Sequence, residues 1–140
     1  MRTVSESDWI VCLSDRVRFS ELDPQGVVFY SRYFEYADAA IMEYLRNRGM
    51  TSENSNSASD FQVRKSVAEF HYPLCKDDEF DALVRVKQIG TTSVSFLVSI
   101  NELRKQRQCC ELELIQVYVD IKSARPKPIP EDVRDRLGSD

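Results

Sequence analysis

Asp23 is the residue of this chain best placed to do chemistry. It opens the tetrapeptide Asp23-Pro24-Gln25-Gly26, and apolar Val27, Val28 and Phe29 lead from there into a helical pattern that begins near Ser31. Asp first, Pro second and Gly fourth are the preferences of a type I turn, so turn formation alone accounts for these residue types. Two neighbours add a chemical reading. A helix N-terminus presents unpaired N–H groups and the positive end of a dipole, both of which attract negative charge. The apolar stretch between turn and helix can wall a partly dry pocket, where a carboxylate serves as base or nucleophile.

Several elements must position that turn. Residues 15–21 alternate, with Val17 and Phe19 on one face against Arg16, Arg18 and Ser20, and predict a strand. Over residues 31–48 the period lengthens. Tyr33, Tyr36, Ala37, Ala40, Ile41, Tyr44 and Leu45 recur at three- and four-residue steps and form one broad apolar face, widened by Phe34. Ser31 suits the N-cap, and Gly49 the C-terminal stop. The polar, Ser- and Asn-rich stretch 50–60 predicts a loop at a site rim. Alternation over 61–72, 79–89, 92–101 and 109–121 predicts four further strands, with phase slips expected near Val67 and between Leu114 and Ile115. Residues 102–108 form a charged turn. Pro126, Pro128 and Pro130 mark an extended tail that ends in a short helical turn. One long helix among strands at hairpin spacing is an α+β pattern with a mostly antiparallel sheet. A single domain over 1–140 is expected, its core about 14–121 and its proline-rich tail 122–140. The outer sheet surface and edges call for cover by a second copy.

Composition narrows the function. The chain has 140 residues, a net charge of −4 and a pI near 5.1, against the basic balance of a general nucleic-acid binder. Its apolar runs are shorter than the ~20 residues of a membrane span, and the N-terminus has no signal-like segment, which predicts a cytoplasmic protein. Cysteines at 12, 75, 109 and 110 lack zinc-site spacing and read as reduced packing residues. His71 is the one histidine, which rules out a histidine-rich metal site. Its phase, opposite Phe70 and Tyr72, predicts an outward, structural side chain.

The run LDPQGVVFYSRYFEYADAAIMEYL resembles the motif of hotdog-fold acyl-CoA thioesterases of the 4-hydroxybenzoyl-CoA thioesterase type. Asp23, Gly26, Val27, Val28, Phe29, Tyr30, Tyr33, Phe34, Tyr36 and Asp38 occupy the matching places. YPLCKDDEF, IGTTSVSF and ARPKPIPEDVRDRL are weaker matches, and together the resemblance covers residues 14–137. It implies a curved antiparallel sheet wrapped around one long central helix, and a homodimer or homotetramer with sites at subunit interfaces. It also implies an acyl-CoA substrate, with coenzyme A as part of that substrate and no separate cofactor. Asp23 becomes the catalytic carboxylate, nucleophile or general base. The Tyr30 backbone N–H polarises the thioester carbonyl, and Gly26 lets the backbone turn tightly. Val28, Phe29 and Tyr33 line the acyl pocket, and Asp38 orients a tyrosine or the substrate. Arg104, Arg125 and Lys127, with Lys105 and Arg107 nearby, are candidates to meet the nucleotide phosphates. Aromatic residues behind Asp23 favour an aromatic acyl group. Alternatives are a carrier-protein thioester substrate, a non-catalytic acyl-CoA-binding protein, a related branch using Glu35 on the helix, and a hydratase, whose Asp/His loop is missing here.

Overall fold

In the computed structural model the described residues are 8–50 and 61–138. The chain runs through β1 (Ile10–Arg16), a 3-10 turn (Phe19–Glu21), the long helix α1 (Arg32–Asn47), β2 (Phe61–Phe70) and β3 (Glu79–Ile89). It continues through β4 (Ser93–Glu102), β5 (Arg107–Asp120), the two-residue β6 (Arg125–Pro126) and α2 (Glu131–Gly138). Neighbouring strands are antiparallel in the order β1-β3-β4-β5-β2, and β6 pairs with β5. The sheet curves around α1, so the chain has the α+β hotdog fold that its sequence resembles.

The apolar face expected on α1 is the face it buries: Tyr33, Tyr36, Ala37, Ala40, Ile41, Tyr44 and Leu45. It packs against Phe80, Ala82 and Val84 of β3, Val94, Phe96, Val98 and Ile100 of β4, and Cys110, Leu112 and Leu114 of β5. Burying a Leu, Ile or Phe side chain of this kind contributes about 1.5–3 kcal/mol. Ser31 takes the N-cap position, but its side chain makes no capping bond and its backbone is already helical. The C-terminus closes as a Schellman motif. Gly49 adopts φ +80, its N–H donates to the Arg46 carbonyl at 3.0 Å, and the Met50 N–H donates to the Leu45 carbonyl at 3.0 Å.

Several expectations are corrected. The first strand is Ile10–Arg16 rather than 15–21. The Glu21 carboxylate accepts the Arg18 backbone N–H at 2.8 Å, which folds 18–21 into a 3-10 turn and leaves Phe19 exposed while Val17 stays buried. The slip in β2 lies between Val63 and Lys65, not near Val67. β5 keeps one phase through Leu112, Leu114, Gln116 and Tyr118, because the inward position after Leu114 holds a polar residue, Gln116, opposite Val94. Its register irregularity lies between the partners of Ile100 and Asn101 instead. The tail is also less extended than expected. Ile129, Val133 and Leu137 are buried in the core, and the Arg134 guanidinium donates to the Gly90 carbonyl at 2.7 Å. The core thus extends past residue 121. The rim loop expected at 50–60 falls on residues 51–60, outside the described residues.

Candidate active site

The turn that carries Asp23 is a short hairpin. Gly26 N–H donates to the Asp23 carbonyl at 2.9 Å and Asp23 N–H to the Val27 carbonyl at 2.8 Å, while Leu22 and Val28 bridge. Pro24 presets φ at the second turn position. Gly26 sits at φ +82, the left-handed geometry of a type I turn closed by a G1 bulge. One carboxylate oxygen of Asp23 belongs to this turn: Oδ1 accepts Gln25 N–H at 2.8 Å and lies 3.4 Å from Val27 N. No hydrogen bond to Oδ2 occurs among the described residues. The turn thus uses one carboxylate oxygen of Asp23 and leaves the other without a partner among the described residues.

The hairpin is tied to the segment between β2 and β3. Val27 bridges Cys75, and the Val28 N–H donates to the Leu74 carbonyl at 2.8 Å. Tyr33, in the first turn of α1, accepts the Leu74 N–H on its hydroxyl at 3.0 Å. Burial pushes the Tyr33 phenol up to about 12, so it stays neutral and acts as a tie. Behind it, burial and the nearby Glu21 carboxylate raise the Tyr36 phenol further.

These ties shape a cleft of about 280 Å³ lined by Asp23, Val27, Val28, Phe29, Tyr30, Tyr33, Phe70, His71, Tyr72 and Pro73. Its rim is aromatic and exposed. Phe29, Tyr30, Phe70 and Tyr72 are 43%, 63%, 49% and 48% exposed, a clustering of apolar surface of the kind that meets a ligand or another chain. Phe29 and Tyr30 rings lie 4.8 Å apart, Tyr33 and Phe70 5.4 Å apart, and the Arg107 guanidinium lies 4.2 Å from the Tyr72 ring centre. At the start of α1 the backbone bonds begin with Arg32 N–H to the Phe29 carbonyl, and the Tyr30 N–H has no acceptor among the described residues. A free backbone donor thus accompanies a carboxylate in one aromatic cleft. That combination can polarise a carbonyl while an adjacent oxygen attacks it.

The structure brings Asp23, Val28, Phe29, Tyr30 and Tyr33 together, with Gly26 in the supporting turn. It does not bring in Asp38, which is exposed on α1 and absent from the cleft wall. Glu35 is also exposed and pairs with Arg32 at 3.1 Å. Arg104 lines a separate recess of about 460 Å³ with Arg16, Lys76, Asp77, Asp78 and Glu79. Arg125 and Lys127 lie beyond the far end of β5: Phe70, beside the cleft, is opposite Cys110, whereas Arg125 is opposite Asp120. Lys127 stacks on Tyr118 at 4.9 Å. Sequence reasoning missed His71 and its neighbours Phe70, Tyr72 and Pro73. His71 does point outward, but the outside there is the cleft. The available signal was a lone histidine between two aromatics, just before a proline.

Residues 17–137 match the model of the thioesterase-like superfamily. Among curated proteins, a putative esterase of Aquifex aeolicus is 30% identical over 82 residues, 58% of this chain and 64% of its own length. The matched stretch is thus under two thirds of that relative. The acyl-CoA thioester hydrolase YbgC of Escherichia coli O6:H1 is 25% identical over 119 residues, 84% of this chain and 88% of its own. Among solved structures, a 1,4-dihydroxy-2-naphthoyl-CoA thioesterase from Synechocystis superposes with a TM-score of 0.80 at 15% identity, covering 91% of this chain and 94% of that one. With a family match across nearly all of its length, the chain belongs to the thioesterase-like superfamily.

Proposed function

We propose that this protein is a thioester hydrolase that cleaves an aromatic acyl-CoA to the free acid and coenzyme A in the Asp23 cleft. The observation that carries the reading is the pairing of Asp23 and the acceptorless Tyr30 N–H in one aromatic-lined cleft. Asp23 Oδ2 takes a proton from water as the water oxygen bonds the thioester carbon. The carbonyl electron pair moves onto oxygen, where the Tyr30 N–H and the N-terminus of α1 stabilise it. Collapse of this adduct breaks the C–S bond. Val28, Phe29 and Tyr33 hold the acyl group, with Tyr30, Phe70 and Tyr72 as further aromatic walls. Hydrolysis uses water and the chain's own groups, so no cofactor beyond the substrate's coenzyme A enters.

The acyl group is assigned as aromatic because flat rings stack on such walls with centroid spacings of about 4.5–7 Å. The carrier is assigned as coenzyme A from the likeness to YbgC. A second copy completes the assembly: β2 is a sheet edge in the described residues, and Val63 and Val67 on it are exposed. The test is thiol release from benzoyl-, naphthoyl-, phenylacetyl- and straight-chain CoA thioesters by the wild type and by Asp23→Asn. Fast release of the aromatic members, lost in the variant, supports the reading. A fully active variant, or a clear preference for straight chains, counts against the site or the substrate respectively.

A further inference from the structure

Asp23 and Tyr30 supply a base and an oxyanion donor, and the departing sulfur calls for a proton, from Asp23 after it has taken one from water or from a separate acid. His71 is the one histidine of the chain and stands in the wall of the same cleft. Its backbone is pinned. The His71 N–H donates to the Cys109 carbonyl at 2.8 Å, and the Tyr72 N–H reaches the same oxygen at 3.3 Å. Its imidazole is exposed and makes no hydrogen bond or ion pair among the described residues. Both ring nitrogens are therefore available to a molecule bound in the cleft. The other titratable groups in the cleft wall are Asp23, Tyr30, Tyr33 and its chain neighbour Tyr72. The Tyr33 hydroxyl is engaged by Leu74, and Arg107 stacks on Tyr72. The rival donor to sulfur is therefore Asp23 once it has taken the water proton.

We propose that His71 is the general acid that protonates the leaving thiolate, an assignment that rests on the hydrolase reading above. As the tetrahedral adduct re-forms its C=O bond, the C–S bond breaks and its electron pair goes to sulfur. The imidazolium proton then moves to that sulfur. The products are the free acid and the thiol; Asp23 is left protonated and His71 neutral, and proton exchange through solvent restores both. Only water is consumed. The base must be ionised and the acid protonated, so the rate falls at both ends of the pH range, the alkaline fall belonging to the imidazole.

The experiment measures kcat/KM from pH 5 to 9 for wild type, Asp23→Asn and His71→Gln. It uses the aroyl-CoA that the wild type turns over fastest and the S-phenyl thioester of the same acid, with circular dichroism to verify folding. An aryl thiolate is a weaker base and departs without a proton. The expected result is a loss of about 10²- to 10³-fold for His71→Gln on the CoA thioester, with the alkaline fall abolished. On the S-phenyl ester the same variant should lie within about tenfold of wild type. Equal losses on both substrates, or an unchanged alkaline fall, overturn the role. Inactive Asp23→Asn beside unimpaired His71→Gln overturns His71 alone. Fully active Asp23→Asn, or no thiol release by the wild type, overturns the hydrolytic site and the His71 role together.

Discussion

Asp23 gives one carboxylate oxygen to its turn and keeps the other unbonded among the described residues, and that division makes its substitution informative. Asn keeps an Oδ1 that accepts the Gln25 N–H at 2.8 Å, so the turn survives and only the basic oxygen is lost. Asp23→Asn should therefore melt within a degree or two of wild type while kcat falls by about 10²- to 10⁴-fold. Whether Asp23 attacks directly is tested by a single turnover in H₂¹⁸O followed by mass analysis of Asp23. A general base leaves Asp23 unlabelled, the expected outcome; label in Asp23 shows a mixed anhydride opened by water at the Asp23 carbonyl. The thiols of buried Cys110 and half-buried Cys12 make a separate prediction. Burial pushes Cys110 up to about 12 and Cys12 up to about 11, from an ordinary 9.0. The unfolded thiols lose their protons first, so the stabilisation is intact below pH 9 and drains away as pH rises toward 12. Melting temperatures measured from pH 7 to 11 should fall above 9, and Cys110→Ala should show a shallower fall. A parallel fall in the variant would show that Cys110 does not contribute.

At the scale of elements, legibility followed how strongly one face is buried. All seven residues expected on the apolar face of α1 are buried, because a helix wrapped by a sheet can tolerate no polar residue there. β5 misled, since Gln116 occupies a buried position and apolar Ile115, Val117 and Val119 fall on the other face, which imitates a phase slip. The first strand misled because Val17 and Phe19 alternate in sequence but only Val17 is buried. The site was half legible. Asp23 and its turn are contiguous, whereas His71, Phe70 and Tyr72 join it only through the Leu74 and Cys75 ties to the hairpin. The tail was read as extended because its prolines mask two turns of helix. Val133 is 0% and Leu137 1% exposed, so α2 is core rather than appendage. Leu137→Ala should cost about 2–5 kcal/mol by chemical denaturation. KM should not change, because α2 packs beside Gly90 and Arg48, away from the cleft. A shift in KM without loss of stability would contradict that separation.

At the scale of the whole molecule, the cleft and the basic pair Arg125 and Lys127 stand at opposite ends of β5. The strand between Cys110 and Asp120 rises ~3.3 Å per residue, which puts about 30 Å between them. One chain cannot easily bring both to one substrate, but two chains can. Among the described residues β2 is an edge strand, with Phe70 at its cleft end and Phe61 at the other. Phe61 packs on Tyr118 at 5.1 Å, and Lys127 covers that tyrosine. If two β2 edges pair antiparallel about a twofold axis, the Phe61 end of one copy lies beside the Phe70 end of the other. Lys127 of the partner subunit then approaches this chain's cleft, where a cation suits the phosphates of coenzyme A. Two outcomes follow. Light scattering after size-exclusion should give at least twice the 16.2 kDa of the chain. The Arg125→Ala/Lys127→Ala double variant should raise KM several-fold for a CoA thioester and leave it unchanged for an N-acetylcysteamine thioester, which has no phosphates. A monomer, or equal effects on both substrates, would confine the substrate to residues of a single chain. The cations left at the cleft end would then be Arg107 on Tyr72 and the Lys76–Arg104 recess.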